Sequence, residues 1–289
     1  MLKGIDISHH SVLTPNTFNP MVWGNSLYFN FLKATEGATV QDSKFVDYWQ
    51  MSRDSGVLCG AYHFLRPLTD PTAQANNFLA QYKQVSRNGI LPPVVDIEWA
   101  YVNQKEQWSQ ITPKERIALI KTYLFLVEQS LSIKPVIYTA TAFWRDLIQP
   151  QLSGDDTQYF ASHPLWIVDL KGTGQLPQTW ASSTFVQTHF GESATTDALY
   201  DHLDQDGFNG SLLQLLNTTV GGLTIAKGFP KSVIVKDLQT ALIAKQCLQE
   251  AADGMFGSHT ETAVKKFQAG NGLVDSGIID MQTWNKLLA

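Results

Sequence analysis

Asp96 and Glu98 stand two residues apart at the end of the apolar run Pro92-Pro93-Val94-Val95. In an extended strand, positions i and i+2 share a face, so the two carboxyls project side by side. Neighbouring acids repel, and the repulsion raises the pKa of one of them. A protonated acid beside an ionised one suits glycosidic bond cleavage. The first protonates the leaving oxygen, and the second stabilises the positively charged sugar. A solvated strand end with two unrelated surface acids would show the same pattern.

Two further acids sit in comparable contexts. Asp6 lies in Gly4-Ile5-Asp6-Ile7-Ser8 at the end of a second apolar run, and alone it reads as an N-cap or turn residue. Asp204 lies in Leu203-Asp204-Gln205-Asp206-Gly207-Phe208, which alone reads as a turn or a calcium-like loop. His9, His10 and His63 are candidate pocket residues. The chain has no H-E-x-x-H motif, no Cys/His ligand pair, no G-x-S-x-G elbow and no phosphate-binding glycine loop. Metal, serine-esterase and nucleotide chemistry therefore lose support, and neither a metal nor a cofactor is expected.

These acids need a scaffold, and the chain is long enough to supply one. It has 289 residues, 44% hydrophobic and 16% charged, with 8 Trp, 9 Tyr and 15 Phe, enough to bury a sizeable core. Net charge is −5 and no Lys/Arg run exceeds two residues, which argues against nucleic acid as a partner. No apolar stretch reaches the roughly 18 residues of a membrane span. Cys59 and Cys247 read as buried thiols. Strand patterns fall at 3–7, 27–33, 57–64, 93–98, 135–139, 165–169 and 184–188. Helical patterns alternate with them. The clearest helix opens on the capping box Thr112-Pro113-Lys114-Glu115, and another spans about 42–55. Alternating strands and helices predict an α/β fold with a parallel sheet, and over about 200 residues a barrel.

Residues 215–231 change texture, with Gly221-Gly222 and Pro230, and read as a linker between a 1–214 domain and a small all-α domain at 232–289. The small domain shows three helical patterns, near 234–246, after a capping box at Ser258 and Glu261, and near 280–288. Phe267 and Trp284 are expected in its core.

The first 214 residues resemble the glycoside hydrolase family 25 lysozymes, which are N-acetylmuramidases. The matching segments occur in order: Gly4 to His10, Phe31-Leu32-Lys33-Ala34-Thr35-Glu36-Gly37, Gly60-Ala61-Tyr62-His63-Phe64, and Pro92 to Glu98. Ile137-Tyr138-Thr139, Leu165-Trp166-Ile167-Val168-Asp169 and Leu203 to Ser211 follow. The resemblance implies a modified β/α barrel with an incomplete helical ring. It implies that Glu98 is the general acid and that Asp96 stabilises the oxocarbenium-like state or steers the 2-acetamido group. Asp6 and Asp204 match further pocket acids. Tyr62, Tyr138, Lys33, Glu36, Trp166 and Asp169 match substrate-side positions. Ser11-Val12, Leu170 and Val186-Gln187 depart from the family's usual residues, on the saccharide rim or its supporting wall. The C-terminal residues resemble the three-helix peptidoglycan-binding domain, through Leu238-Gln239, Asp253 to Gly257, Phe267-Gln268 and Thr283-Trp284.

The resemblance, with these features, implies a monomeric, cofactor-free muramidase that cuts the β-1,4 bond between N-acetylmuramic acid and N-acetylglucosamine, tethered to peptidoglycan; retaining and inverting outcomes both stay open, with net retention favoured. A chitinase-like barrel is disfavoured because Pro92 and Val94 break the longer D-x-x-D-x-D-x-E pattern. Other readings are a non-catalytic wall-binding or structural protein and a secretion-system effector. Met1-Leu2-Lys3-Gly4 runs directly into the first strand pattern, so synthesis in the cytoplasm without a signal peptide is expected, with release to the wall through a holin-type pore or a secretion system.

Overall fold

The computed structural model describes residues 1–21, 27–85, 88–191 and 202–289. Eight strands form a closed barrel: β1 (Leu2–Ile7), β2 (Phe29–Glu36), β3 (Leu58–Phe64), β4 (Val94–Asp96), β5 (Val136–Ala140), β6 (Leu165–Val168), β7 (Phe185–His189) and β8 (Asp204–Phe208). Strands β1 to β7 run parallel in chain order, and β8 closes the ring antiparallel to both β7 and β1. The segment of β8 reads in isolation as an acidic turn. It is a strand because closure gives its backbone N–H and C=O groups partners on both sides, which a polar pattern alone does not announce.

Helices α1 (Phe45–Asp54), α2 (Pro71–Tyr82), α3 (Pro113–Leu131) and α4 (Gly154–Ala161) follow β2, β3, β4 and β5. Among the described residues no helix of this kind follows β6 or β7, so the outer ring is incomplete. The capping box at the start of α3 is present, with Glu115 accepting from the Thr112 N–H at 2.7 Å. Gly56 stops α1 at φ +68°.

The lower half of the barrel is filled by rings. Phe31 stacks on Trp166 at 4.5 Å, and Phe185 meets Phe29, Phe31 and Phe208 at 5.2, 5.0 and 5.3 Å. A Cβ on Gly4 would lie 2.2 Å from the Phe29 ring, so only glycine fits there. This aromatic plug seals the base and leaves the polar inward positions at the carboxyl ends of the parallel strands.

Below the plug lie α5 (Leu212–Thr218), α6 (Val233–Ala244), α7 (Ser258–Gly270) and α8 (Met281–Leu288). The residues expected as a linker are packed: Leu215, Leu216, Leu223 and Ile225 are all buried. They join the barrel interior and the small domain in one apolar cluster. Trp284 and Phe267 are core residues, and the Trp284 indole donates to the Leu223 carbonyl at 3.1 Å. Gly89 adopts φ +66°, where a Cβ would meet Leu223 at 2.4 Å, so a glycine lets the two domains close up. Two smaller expectations need correction. Ser258 is the first residue of α7 rather than its cap, and Glu261 pairs with Lys265 at 3.0 Å. Cys247 is half-buried, whereas Cys59 is fully buried with its thiol pushed up to about 12 by desolvation; both are free.

Candidate active site

Parallel strands deliver their last inward residues to one end of the barrel. One cavity there is lined by Asp6 from β1, Tyr62 from β3, Asp96 and Glu98 at the end of β4, Tyr138 from β5 and Trp166 from β6. Gln187 and Phe190 from β7 and its exit, and Asp204 from β8, complete it. The i, i+2 rule holds for Asp96 and Glu98, which share the cavity face while Ile97 points into the outer core.

Burial sets the electrostatics. Desolvation pushes the Glu98 carboxyl up to about 7; Lys33 opposes the shift and Asp204 adds to it. Burial, then the Glu98 charge, hold Asp96 well above the ordinary carboxylate range, again moderated by Lys33. Asp6 is raised by burial and by facing Asp204. Asp204 is raised by burial and partly relieved by the Gly191 N–H at 2.6 Å. One Asp96 oxygen is buried without a hydrogen-bond donor. The cavity thus raises several facing carboxyls together, so that protonated and ionised acids can stand side by side near neutral pH, the pairing that acid-assisted bond cleavage needs.

Hydrogen bonds fix the floor. Gln187 donates to Asp6 at 2.7 Å and accepts from the Tyr138 hydroxyl at 2.6 Å. Trp166 is 2% exposed and gives its indole N–H to Asp206 at 2.9 Å, so it is a supporting wall rather than an open stacking surface. Lys33 and Glu36 stand beside the cavity in an ion-pair cluster. Lys33 bonds Glu36 at 2.6 Å, and Arg66 holds the other Glu36 oxygen. Burial alone would raise the Glu36 carboxyl, but the hydrogen bonds of Lys33 and Arg66 hold it below its ordinary value. The two cations flank the Phe64 ring at 5.2 and 4.8 Å.

Asp169 is not brought to this cavity. It follows Val168 on the outward side and accepts from the Thr173 and Gly174 N–H groups at 2.9 and 2.7 Å, closing its own turn. His63 is likewise turned away from the cavity. It is fully buried between Thr35 at 2.7 Å and Gln74 at 3.2 Å, and desolvation lowers it to about 3. Phe190, Arg66 and Asp206 join the site or its support without having been singled out, and Gln187, noted in the sequence only as a departure from the family's usual residue, bonds both Asp6 and Tyr138. Gln187 and Asp206 were accessible from alternation, since each lies two residues from an inward position. Arg66 and Phe190 occupy loops and left no such signal.

Residues 5–193 match the model for glycosyl hydrolases family 25, and residues 231–287 match a putative peptidoglycan binding domain. The chain is 30% identical over 197 residues to the uncharacterized protein YegX of Escherichia coli K12, an alignment covering 66% of this chain and 63% of YegX. It is 28% identical over 275 residues to the autolytic lysozyme of Clostridium acetobutylicum, covering 94% of this chain and 74% of that protein. The crystal structure of a bacterial lysozyme from Streptomyces coelicolor shares the fold, with TM-score 0.64 and 24% identity over 75% of this chain and 96% of that one.

Proposed function

The chain belongs to glycosyl hydrolases family 25, and on that premise we propose that it is a muramidase, cleaving the β-1,4 bond between N-acetylmuramic acid and N-acetylglucosamine in bacterial peptidoglycan. The observation that carries the reading is Glu98, raised to about 7 in a cavity shared with Asp96. In the first step Glu98 gives its proton to the glycosidic oxygen as the bond from C1 to that oxygen breaks. The sugar's own acetamide oxygen attacks C1, and Asp96 steers the acetamide and offsets the positive charge that develops. In the second step the Glu98 carboxylate takes a proton from water, whose oxygen attacks C1, and the acetamide is restored. Two inversions give net retention. Asp6 and Asp204 add negative potential on the opposite wall, and Tyr62 and Tyr138 shape the sugar site. The small domain holds the enzyme on its insoluble substrate and so raises local concentration.

Digestion of purified peptidoglycan by the wild type and by Glu98→Gln, followed by reduction and mass spectrometry, tests this. New reducing ends on muramic acid, lost in the variant, are the expected result. Reducing ends on N-acetylglucosamine, or cleaved stem peptides, would overturn it.

A further inference from the structure

Asp206 is 3% exposed and takes no part in the steps above. It lies on β8 between two layers of the barrel interior, the aromatic plug that contains Phe208 below it and Asp204 above. Gly4 of β1 and Gln187 of β7 stand opposite it in the two ladders. One of its oxygens accepts from the Trp166 indole; the other is buried with no donor facing it. Of the donors beside it, the Gln187 amide bonds Asp6 and the Tyr138 hydroxyl bonds Gln187. The charged groups that act most strongly on Asp206 are Asp6 from the neighbouring strand and Asp204 from its own, both anions, and the Asp6 carboxyl lies close enough to share a proton with it.

A buried carboxylate with one oxygen unpaired and two anions beside it is costly. A carboxylic acid in the same place is not, because its O–H donates. We propose that Asp206 is a positioning residue that acts as a neutral acid, donating from its second oxygen to Asp6. The hydrogen bonds then run from Tyr138 through Gln187 to Asp6, and from Asp206 to Asp6 on the other side, with Trp166 anchoring Asp206. Asp6 receives two donors from below and turns its remaining lone pairs to the substrate as a fixed negative charge. Burial, followed by the Asp6 charge, pushes the Asp206 carboxyl well above its ordinary value, in line with a retained proton. The arrangement resembles a shared-proton pair, in which two like acids keep one charge between them. It differs in that Asp206 stays out of reach of the substrate.

The role deepens the muramidase reading and rests on it for the kinetic test alone. Asp206→Asn keeps an N–H donor toward Asp6 and removes the acid. Asp206→Leu removes the donor. With peptidoglycan fragments as substrate, the Asn variant is expected to lose no more than about 3-fold in kcat, and the Leu variant about 100-fold with KM little changed, the scale of a misplaced charge in an active site. A folded Asn variant as impaired as Leu would mean that Asp206 works as an anion, and full activity in both would mean that it has no role; either result overturns the proposal. An infrared measurement needs no turnover. A protonated carboxyl band present in the wild type at neutral pH and missing in Asp206→Asn is the expected signature, and equal spectra would overturn the proposal. If the wild type cleaves no peptidoglycan, the muramidase reading fails, while the infrared result still decides the state of Asp206.

Discussion

The mouth and the base of the barrel are built on opposite physical terms. At the mouth, Asp6, Asp96, Glu98 and Asp204 crowd one cavity, Asp206 lies just beneath, and burial raises all five carboxyls. At the base, Leu215, Leu216, Leu223, Ile225 and Trp284 continue the barrel's aromatic plug into the small domain without a buried charge among them. The mouth accepts unfavourable electrostatics to hold protons at chosen oxygens, and the base supplies the apolar burial that offsets them. The plug also keeps water from reaching the acids from below, which makes the mouth's charges strong. The two ends therefore depend on each other although they share no chemistry.

Changes at each end should separate activity from stability. Glu98→Gln should reduce turnover by about 10³-fold while leaving the melting temperature equal or higher, because an amide has no charge to desolvate. A large fall in melting temperature would show that the mouth carries structural weight as well. Leu215→Ala, at the base, should cost about 2–5 kcal/mol of stability with kcat/KM unchanged below the transition. Calorimetry should show one transition moved down, since barrel and small domain share a core; two separate transitions would break that picture.

The pH behaviour sharpens the contrast. The raised mouth carboxyls keep protons that the unfolded chain has already released above its ordinary values near 4. Their contribution to stability is present at low pH and is lost as pH rises through the folded values, about 7 for Glu98. Activity should fall on the alkaline side near the same value. Lys33 lowers both Glu98 and Asp96, so Lys33→Met should move both limbs of the kcat/KM profile to higher pH. Unmoved limbs would remove Lys33 from the electrostatics of the site. The smallest effect is expected at the joint. Tyr28 donates to Asp237 of α6 at 2.8 Å, and Tyr28→Phe should cost about 1 kcal/mol with no change in the pH profile.

The residues that do local work were readable in advance. Asp96 and Glu98 announce themselves by spacing, and Thr112 with Glu115 by the capping box, because both patterns depend only on backbone geometry over a few residues. Seven strands follow from short apolar runs for the same reason. Three features did not. The strand character of 204–208 comes from closing the barrel. The packing of 215–231 comes from the proximity of Gly89 and Leu223, far apart in sequence. The outward turn of Asp169 comes from the local N–H groups of Thr173 and Gly174.

By itself the sequence determined that this chain makes an α/β barrel, that acids end its strands, that Asp96 and Glu98 share a face and that a small helical domain follows. Tertiary structure decided which acids meet, where the protons rest and that the second domain joins the first through a continuous core. The reason is range. Side-chain periodicity and capping are set within a turn or two of chain. Desolvation, charge repulsion and closure depend on groups such as Asp6 and Asp204, which face each other across the β1–β8 ladder though 198 residues separate them in the chain.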